Sequence, residues 1–233
     1  MGELVRLNKY IASLSAYSRR EVDALISSGK ILLDGERVTE LGTKIDHSAP
    51  PTITVRGQML QAKPKHATYV ALNKPDGYVV TKAEFKAEHS VMELLPKSLG
   101  HLKPVGRLDK HSTGLLILTD DGDCIQTMTH PSFQHEKEYI ARTKYPVTPA
   151  DLRAFVDGMR LEEGTTGKAD VQPLDDKRFK IILRQGWNRQ IRRMVEARQN
   201  KVLGLQRIRV GHFALGGLPL GQWKIIKRTD LYD

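Results

Sequence analysis

The chain has 233 residues, 39% of them hydrophobic and 27% charged, enough apolar material for one large domain or a large and a small one. Thirty-seven Lys and Arg against 27 acids give a net charge of +10, which points to an anionic polymer as partner. The lone cysteine, Cys124, excludes an internal disulfide or a Cys-rich zinc site, no apolar run reaches the roughly 20 residues of a membrane span, and "MGELVRLNKY" lacks the apolar stretch of a secretory signal. A cytoplasmic monomer with no membrane contact is expected.

In chain order, Leu7, Tyr10, Ile11 and Leu14 recur at helical spacing. Ser18 and Glu21 form an S-x-x-E capping box for a second helix with Val22, Leu25 and Ile26 on one face, and Gly29 is placed to end it. Asp34-Gly35 reads as a tight turn between short strands. Arg6, Lys9, Arg19, Arg20, Lys30 and Arg37 decorate this first unit, whose residues 1–63 carry nine basic and seven acidic side chains, only +2. Polar "GQMLQAKPKH", 57–66, reads as a linker, so the boundary is set between 1–63 and 64–233. Beyond it, Tyr69–Leu72 and Val79–Val80 read as strands around the turn "NKPDG", and Leu115–Leu118 as a buried strand ended by the solvated turn "TDDGD". "EKEYIART" alternates as a strand with Tyr139 and Ala141 on one face, and "TPADLRAFVDG" is a helix capped by Thr148, opened by Pro149 and stopped by Gly158. "FKIILRQG" is a strand, "NRQIRRMVEARQN" a helix, and "LQRIRVGHFAL" and "GQWKIIKRT" two further strands. Strands outnumber helices and the connections are short. The expected fold class is therefore α+β: a mixed, mostly antiparallel sheet flanked by helices, behind a small α/β unit.

The sequence contains neither a G-x-x-x-x-G-K-[ST] phosphate loop nor a strand-linked G-x-G-x-x-G. Asp120, Asp121 and Asp123 miss calcium-loop spacing, and the eight histidines show no H-x-x-x-H pair, so no metal site is expected. Residues 180–210 hold nine Lys or Arg against the single acid Glu196, the strongest electrostatic footprint of the chain. Within it Ile191, Met194 and Val195 form an apolar stripe while Arg189 and Arg193 point away and Arg192 lies on the border. On pattern alone Arg192 fits a snorkelling side chain as well as a placed guanidinium. Asp109, between Arg107 and Lys110, fits a modest surface ion pair as well as a buried carboxylate held ionised by a permanent cation. A strand tyrosine such as Tyr139 is more often core than catalytic.

"VGRLDKHSTGLLILTDDGD", "HEKEYIART", "LRQGWNRQIRRM", "ALNKPDGYVV" and "GLPLGQW" resemble, in order, the RsuA-like branch of the pseudouridine synthases, nearest its RluF type. "RLNKYIASLSAYSRREVDALISSGKILLDGERV" resembles the S4 RNA-binding domain that precedes the catalytic domain in that branch. The resemblance implies roles residue by residue. Asp109 of G-R-L-D is the nucleophile. Tyr139 of K-x-Y lies against the target base and is a proposed base for ribose proton abstraction. Arg192 of Q-I-R is the ion-pair partner of the aspartate, and Arg107 helps expel the target nucleotide from its helix. Lys110, Arg189 and Arg193, with Arg6, Lys9, Arg19, Arg20 and Lys30 of the first unit, are the remaining candidate RNA contacts. His111 departs from the acidic residue usual in relatives, which touches local loop contacts and not the reaction.

Isomerising uridine to pseudouridine breaks the bond from ribose C1′ to base N1, turns the base and remakes the bond through C5. Nothing is oxidised and no group is gained, so no cofactor is expected. Flipping the nucleotide costs a few kcal/mol of stacking, least in a loop or bulge. The expected substrate is structured RNA, foremost large-subunit ribosomal RNA. The alternatives are tRNA or small-subunit ribosomal RNA as substrate, or a ribosome-assembly factor that binds RNA without turnover. A magnesium-dependent phosphodiesterase lacks the carboxylate cluster it needs.

Overall fold

The computed structural model describes residues 3–15, 17–60, 67–81 and 89–232. Two compact units, Met1–His66 and Ala67–Asp233, make up the chain. In the first, strand β1 (Leu4–Arg6) runs into helix α1 (Leu7–Leu14), followed by α2 (Arg19–Ser27) and five short strands: β2 (Ile31–Leu33), β3 (Glu36–Val38), β4 (Lys44–Asp46), β5 (Ile53–Val55) and β6 (Gln58–Met59). The capping box at Ser18 and Glu21 is complete: the hydroxyl accepts from the Glu21 amide and the carboxylate from the Ser18 amide. Leu7, Ile11, Val22, Leu25 and Ile26 bury against Ile31, Ile45, Ile53 and Val55, so the helical spacing is the packing face. Asp34 and Gly35 both have positive φ, 48° and 88°, as the two-residue β2–β3 turn requires. Part of the expected linker is structured, since Gln58–Met59 pairs with β5. Its residues 61–66 lie outside the described residues.

The second unit holds β7 (Tyr69–Lys74), β8 (Lys103–Pro104), β9 (Thr113–Thr119), α3 (Gly122–Thr129), β10 (Lys137–Thr143), α4 (Pro149–Asp157), β11 (Arg160–Leu161), β12 (Gly164–Thr165), β13 (Asp170–Asp175), β14 (Arg178–Leu183), α5 (Gln190–Glu196), β15 (Val202–Val210), β16 (Phe213–Ala214) and β17 (Trp223–Ile226). Seven strands form one sheet in the order β13-β14-β10-β15-β9-β7-β17, with β16 on β15 and β8 on β9. Every pairing in it is antiparallel except β15 with β9. The α+β expectation therefore holds, with a mostly antiparallel sheet. Strand β7 is buried along its whole length: Tyr69 and Ala71 enter one core cluster, Val70 and Leu72 another, so both faces are covered there. A third cluster gathers Ala141, Phe155, Phe179 and Ile181 with Ile191, Met194 and Val195 of α5.

Three local readings need correction. Val79–Val80 is no strand: Val79 makes a single parallel bridge to Ser90. "TDDGD" is not a solvated turn but a helix start. Asp121 caps α3 through the amides of Asp123 and Cys124 (2.9 and 3.0 Å) and accepts from the Tyr69 hydroxyl at 2.6 Å. Asp120 is almost fully covered, accepting from the Thr68 amide at 2.8 Å with His101 3.6 Å away. Turn residues and helix N-caps draw on the same Asp and Gly chemistry, which is why the pattern misled. Strand β13, with Pro173 in it and only Val171 half-buried, carries too little apolar alternation to announce itself.

Candidate active site

Asp109 sits in the loop that enters β9, and the sheet explains how that loop is held. One row of paired residues crosses five strands: Ile181 of β14, Tyr139 of β10, Arg207 of β15, Gly114 of β9 and Lys74 of β7. At its centre β9 and β15 approach so closely that a Cβ on Gly114 would lie 2.2 Å from the Arg207 carbonyl oxygen, and its φ of 99° already disfavours any other residue. The glycine of "HSTG" is thus fixed by backbone contact.

Three buried cations take up the carbonyls of the loop. Lys74, fully buried, donates to the oxygens of Lys110 (3.0 Å), Ser112 (2.8 Å) and Pro75 (3.0 Å). Arg192, 7% exposed, donates to the His111 carbonyl at 2.6 Å, the Ser112 hydroxyl at 3.3 Å and the Val202 carbonyl at 3.3 Å. Arg207, 2% exposed, donates to the Leu115 carbonyl at 2.7 Å and the Arg107 carbonyl at 3.4 Å. Leu108 anchors the same loop in the core. The loop is therefore tied at Arg107, Lys110, His111 and Ser112, and Asp109 rides between the ties.

The Asp109 carboxylate is 27% exposed, and its Oδ2 lies 3.8 Å from Arg192 Nε. That is an ion pair without a hydrogen bond, and Nε has no hydrogen-bond partner among the described residues. Burial, then the neighbouring Arg189, pulls Arg192 below the usual arginine range while Asp109, Glu196 and Asp76 pull it back; it stays charged regardless. Burial lowers Lys74 to about 8, against the pull of Asp76 and Asp109.

Asp109 opens on a cavity of about 630 Å³, which Arg107 and Lys110 of the loop, Tyr139 of β10 and Arg189 before α5 also line. Arg107 and Arg189 are exposed there, Lys110 and Tyr139 half-buried. Arg189 stands in a left-handed conformation, φ 50°, at the N-terminus of α5. Arg193 turns elsewhere: both its Nη atoms hold Glu163 at 2.6 Å. Arg192 is not on the border of the apolar stripe but inside, behind the carboxylate. The His111 ring meets Asp76 at 3.0 Å, both side chains two-thirds exposed. Burial works against the Asp76 carboxylate, but the His111 ring and the Gly77 amide hold it below its usual range. In the first unit Arg6, Arg19, Arg20 and Lys30 are exposed and Lys9 half-buried.

Sequence reasoning missed Lys74 and Arg207. The signal for Lys74 was available: a lysine ending a strand that opens with the apolar run Tyr69–Leu72 must find acceptors if the strand is buried. Nothing in the alternating "LQRIRV" distinguishes Arg207 from its neighbour Arg209.

Residues 68–197 match the family described as RNA pseudouridylate synthase, and residues 5–49 match the S4 domain. The chain is 36% identical to the dual-specificity RNA pseudouridine synthase RluF of Escherichia coli K12, over 98% of this chain and 78% of that one. It is also 36% identical to the ribosomal large subunit pseudouridine synthase B of Bacillus subtilis, over 93% and 89%. A solved structure, the crystal structure of a pseudouridylate synthase, superposes with a TM-score of 0.71 at 28% identity, covering 97% of this chain and 98% of that one. The chain belongs to the RNA pseudouridylate synthases, in their RsuA-like branch, and is an RNA uridine isomerase with an S4 domain.

Proposed function

We propose that the enzyme converts one or a few uridines of large-subunit ribosomal RNA to pseudouridine, with Asp109 as nucleophile. The observation that carries this reading is the Asp109 carboxylate at the mouth of a cavity, with a buried guanidinium 3.8 Å behind it and Tyr139 on the wall. The carboxylate attacks ribose C1′ as the C1′–N1 bond breaks, and the freed base turns. C5 then displaces the carboxylate from C1′ and loses its proton to solvent, while N1, released from the ribose, takes up one proton, so every atom is conserved. Arg192 stands behind the carboxylate and ties its loop in place through the His111 carbonyl and the Ser112 hydroxyl. Tyr139 lies against the base and is the group for proton transfer, while Arg107 helps to expel the nucleotide from its helix and Lys110 and Arg189 meet phosphates at the rim.

The S4 unit, residues 1–63, positions the RNA through Arg6, Lys9, Arg19, Arg20 and Lys30, leaving chemistry to 64–233. Its low net charge fits directed contacts. Large-subunit RNA is favoured by the similarity to the ribosomal large subunit synthase of Bacillus, and a second RNA class such as tRNA by the similarity to the dual-specificity synthase of Escherichia. No helix among the described residues is long and apolar enough to cross a membrane. The test is to incubate purified enzyme with unmodified large-subunit RNA, small-subunit RNA and tRNA and map pseudouridine chemically. Modification at discrete large-subunit uridines is expected; none in any of the three RNAs overturns the reading.

A further inference from the structure

The acids and bases of strand β10 are sorted by face. Glu136 and Glu138 are engaged on one side: Glu136 with Arg184 and with Arg209 (2.9 Å), Glu138 with Arg209 (2.7 Å) and Lys180 (3.2 Å). Lys137 and Tyr139 point to the other face and line the cavity. A register shift between Glu138 and Tyr139 lets Arg207 of β15 pair with Tyr139 on that same face while Arg209 pairs with Glu138. Lys137 and Arg207 thus share one stretch of cavity wall, and the carboxylates of Glu136 and Glu138 are engaged away from them.

Neither cation is compensated there. The Lys137 ammonium donates only to the His135 carbonyl, at 3.2 Å, and no carboxylate lies within ion-pair distance of it among the described residues. Arg207 is nine-tenths or more buried, and its Nη2 has no hydrogen-bond partner although the side chain lines the cavity. Burial, then Arg207, pushes Lys137 below its usual range, and His135 beside it is held down by burial, Lys137 and His212. Two desolvated like charges without a counter-ion oppose folding unless something bound repays them. Neither a uracil ring nor a ribose carries the charge to do so. A phosphodiester does, with oxygens suited to both an ammonium and a guanidinium.

We propose that Lys137 and Arg207 form a buried anion subsite that receives a backbone phosphate adjoining the target nucleotide, placing its sugar at Asp109. This rests on the RNA-isomerase reading for the source of the phosphate, but the subsite itself is defined by the side chains alone.

The test follows Lys137 directly. In protein carrying ¹³Cε-lysine, with Lys137→Met assigning the signal, the Lys137 resonance shifts saturably with inorganic phosphate and with uridine 5′-monophosphate and stays fixed with uridine. In steady-state assays Lys137→Met lowers kcat/KM for RNA by about tenfold to a hundredfold, the value of one charge-assisted hydrogen bond, and reduces the salt slope of binding by about one ion. Lys137→Arg restores both. Arg207→Lys, which keeps the charge, lowers the phosphate affinity in the resonance titration. A Lys137 signal that ignores phosphate and the monophosphate, or a Lys137→Met enzyme with the normal salt slope, overturns the subsite. If the wild type modifies no RNA yet the signal still follows phosphate, the RNA reading fails and the subsite stands.

Discussion

Replacing Arg192 by methionine keeps most of the side-chain volume and removes its charge and every N–H. Lost are the 2.6 Å bond to the His111 carbonyl, the two 3.3 Å bonds to Ser112 and Val202, and the 3.8 Å contact with Asp109. Breaking a buried ion pair from one side costs about 3–5 kcal/mol. Asp109 keeps some contact with water, and a methionine no longer opposes burial, so the low end applies, about 3 kcal/mol. In a unit of this size that lowers Tm by roughly 6–12 °C. The effect on rate is larger than the loss of stability suggests, because the loop comes loose at His111 while the carboxylate loses its cation. A drop of at least about 100-fold in single-turnover pseudouridine formation, equal to about 2.7 kcal/mol, is expected. Arg192→Lys separates the two contributions. It restores charge, but one ammonium cannot reach the Val202 and His111 carbonyls while facing Asp109, so stability recovers in part and turnover stays low. Thermal unfolding and single-turnover assays on both variants decide. Normal turnover in Arg192→Lys would refute the requirement for a forked donor, and an unchanged Tm in Arg192→Met would refute the tether.

Lys74 gives a pH signature. Its folded value of about 8 lies below the ordinary 10.5, so between those limits the unfolded chain binds more protons and its contribution to stability rises with pH. Lys74→Met removes that rise, read as the pH dependence of urea midpoints from 7.5 to about 10.5 in both proteins; parallel curves would contradict it. Arg193→Gln leaves RNA affinity within about twofold, because its guanidinium is committed to Glu163, and costs less than about 1 kcal/mol since the pair is partly exposed; a tenfold loss in filter binding would restore Arg193 as an RNA contact. Asp121→Ala removes the cap of α3 and the acceptor for Tyr69, destabilising the second unit by about 1–2 kcal/mol in thermal unfolding with no change in rate per folded molecule; no change in Tm would show the cap is unimportant.

Much of this arrangement was legible where local chemistry is self-sufficient. Ser18 with Glu21, Thr148 with Pro149, and Asp34-Gly35 announce two helices and a hairpin, because each satisfies its own backbone without help from afar. Asp109, Tyr139 and Arg192 came from motif resemblance, since residue pattern alone left all three open. What escaped is what long-range packing decides. Lys74 and Arg207 matter through carbonyls 36 and 100 residues away in sequence, and no periodicity encodes such partners. The helix at Gly122–Thr129 was hidden behind a cap that doubles as turn chemistry. Arg193, a candidate RNA contact, forms an ion pair with Glu163, thirty positions earlier, that no local pattern announces.

The most direct measurement of the central claim is Asp109→Asn, which keeps the side chain's shape and removes only its anionic oxygen. Chemical mapping of RNA treated with the purified variant is expected to show no pseudouridine, with RNA affinity within a few-fold of the wild type and a Tm lowered less than in Arg192→Met, because Arg192 keeps its hydrogen bonds to His111, Ser112 and Val202. Pseudouridine formed at the wild-type rate by Asp109→Asn would contradict the account.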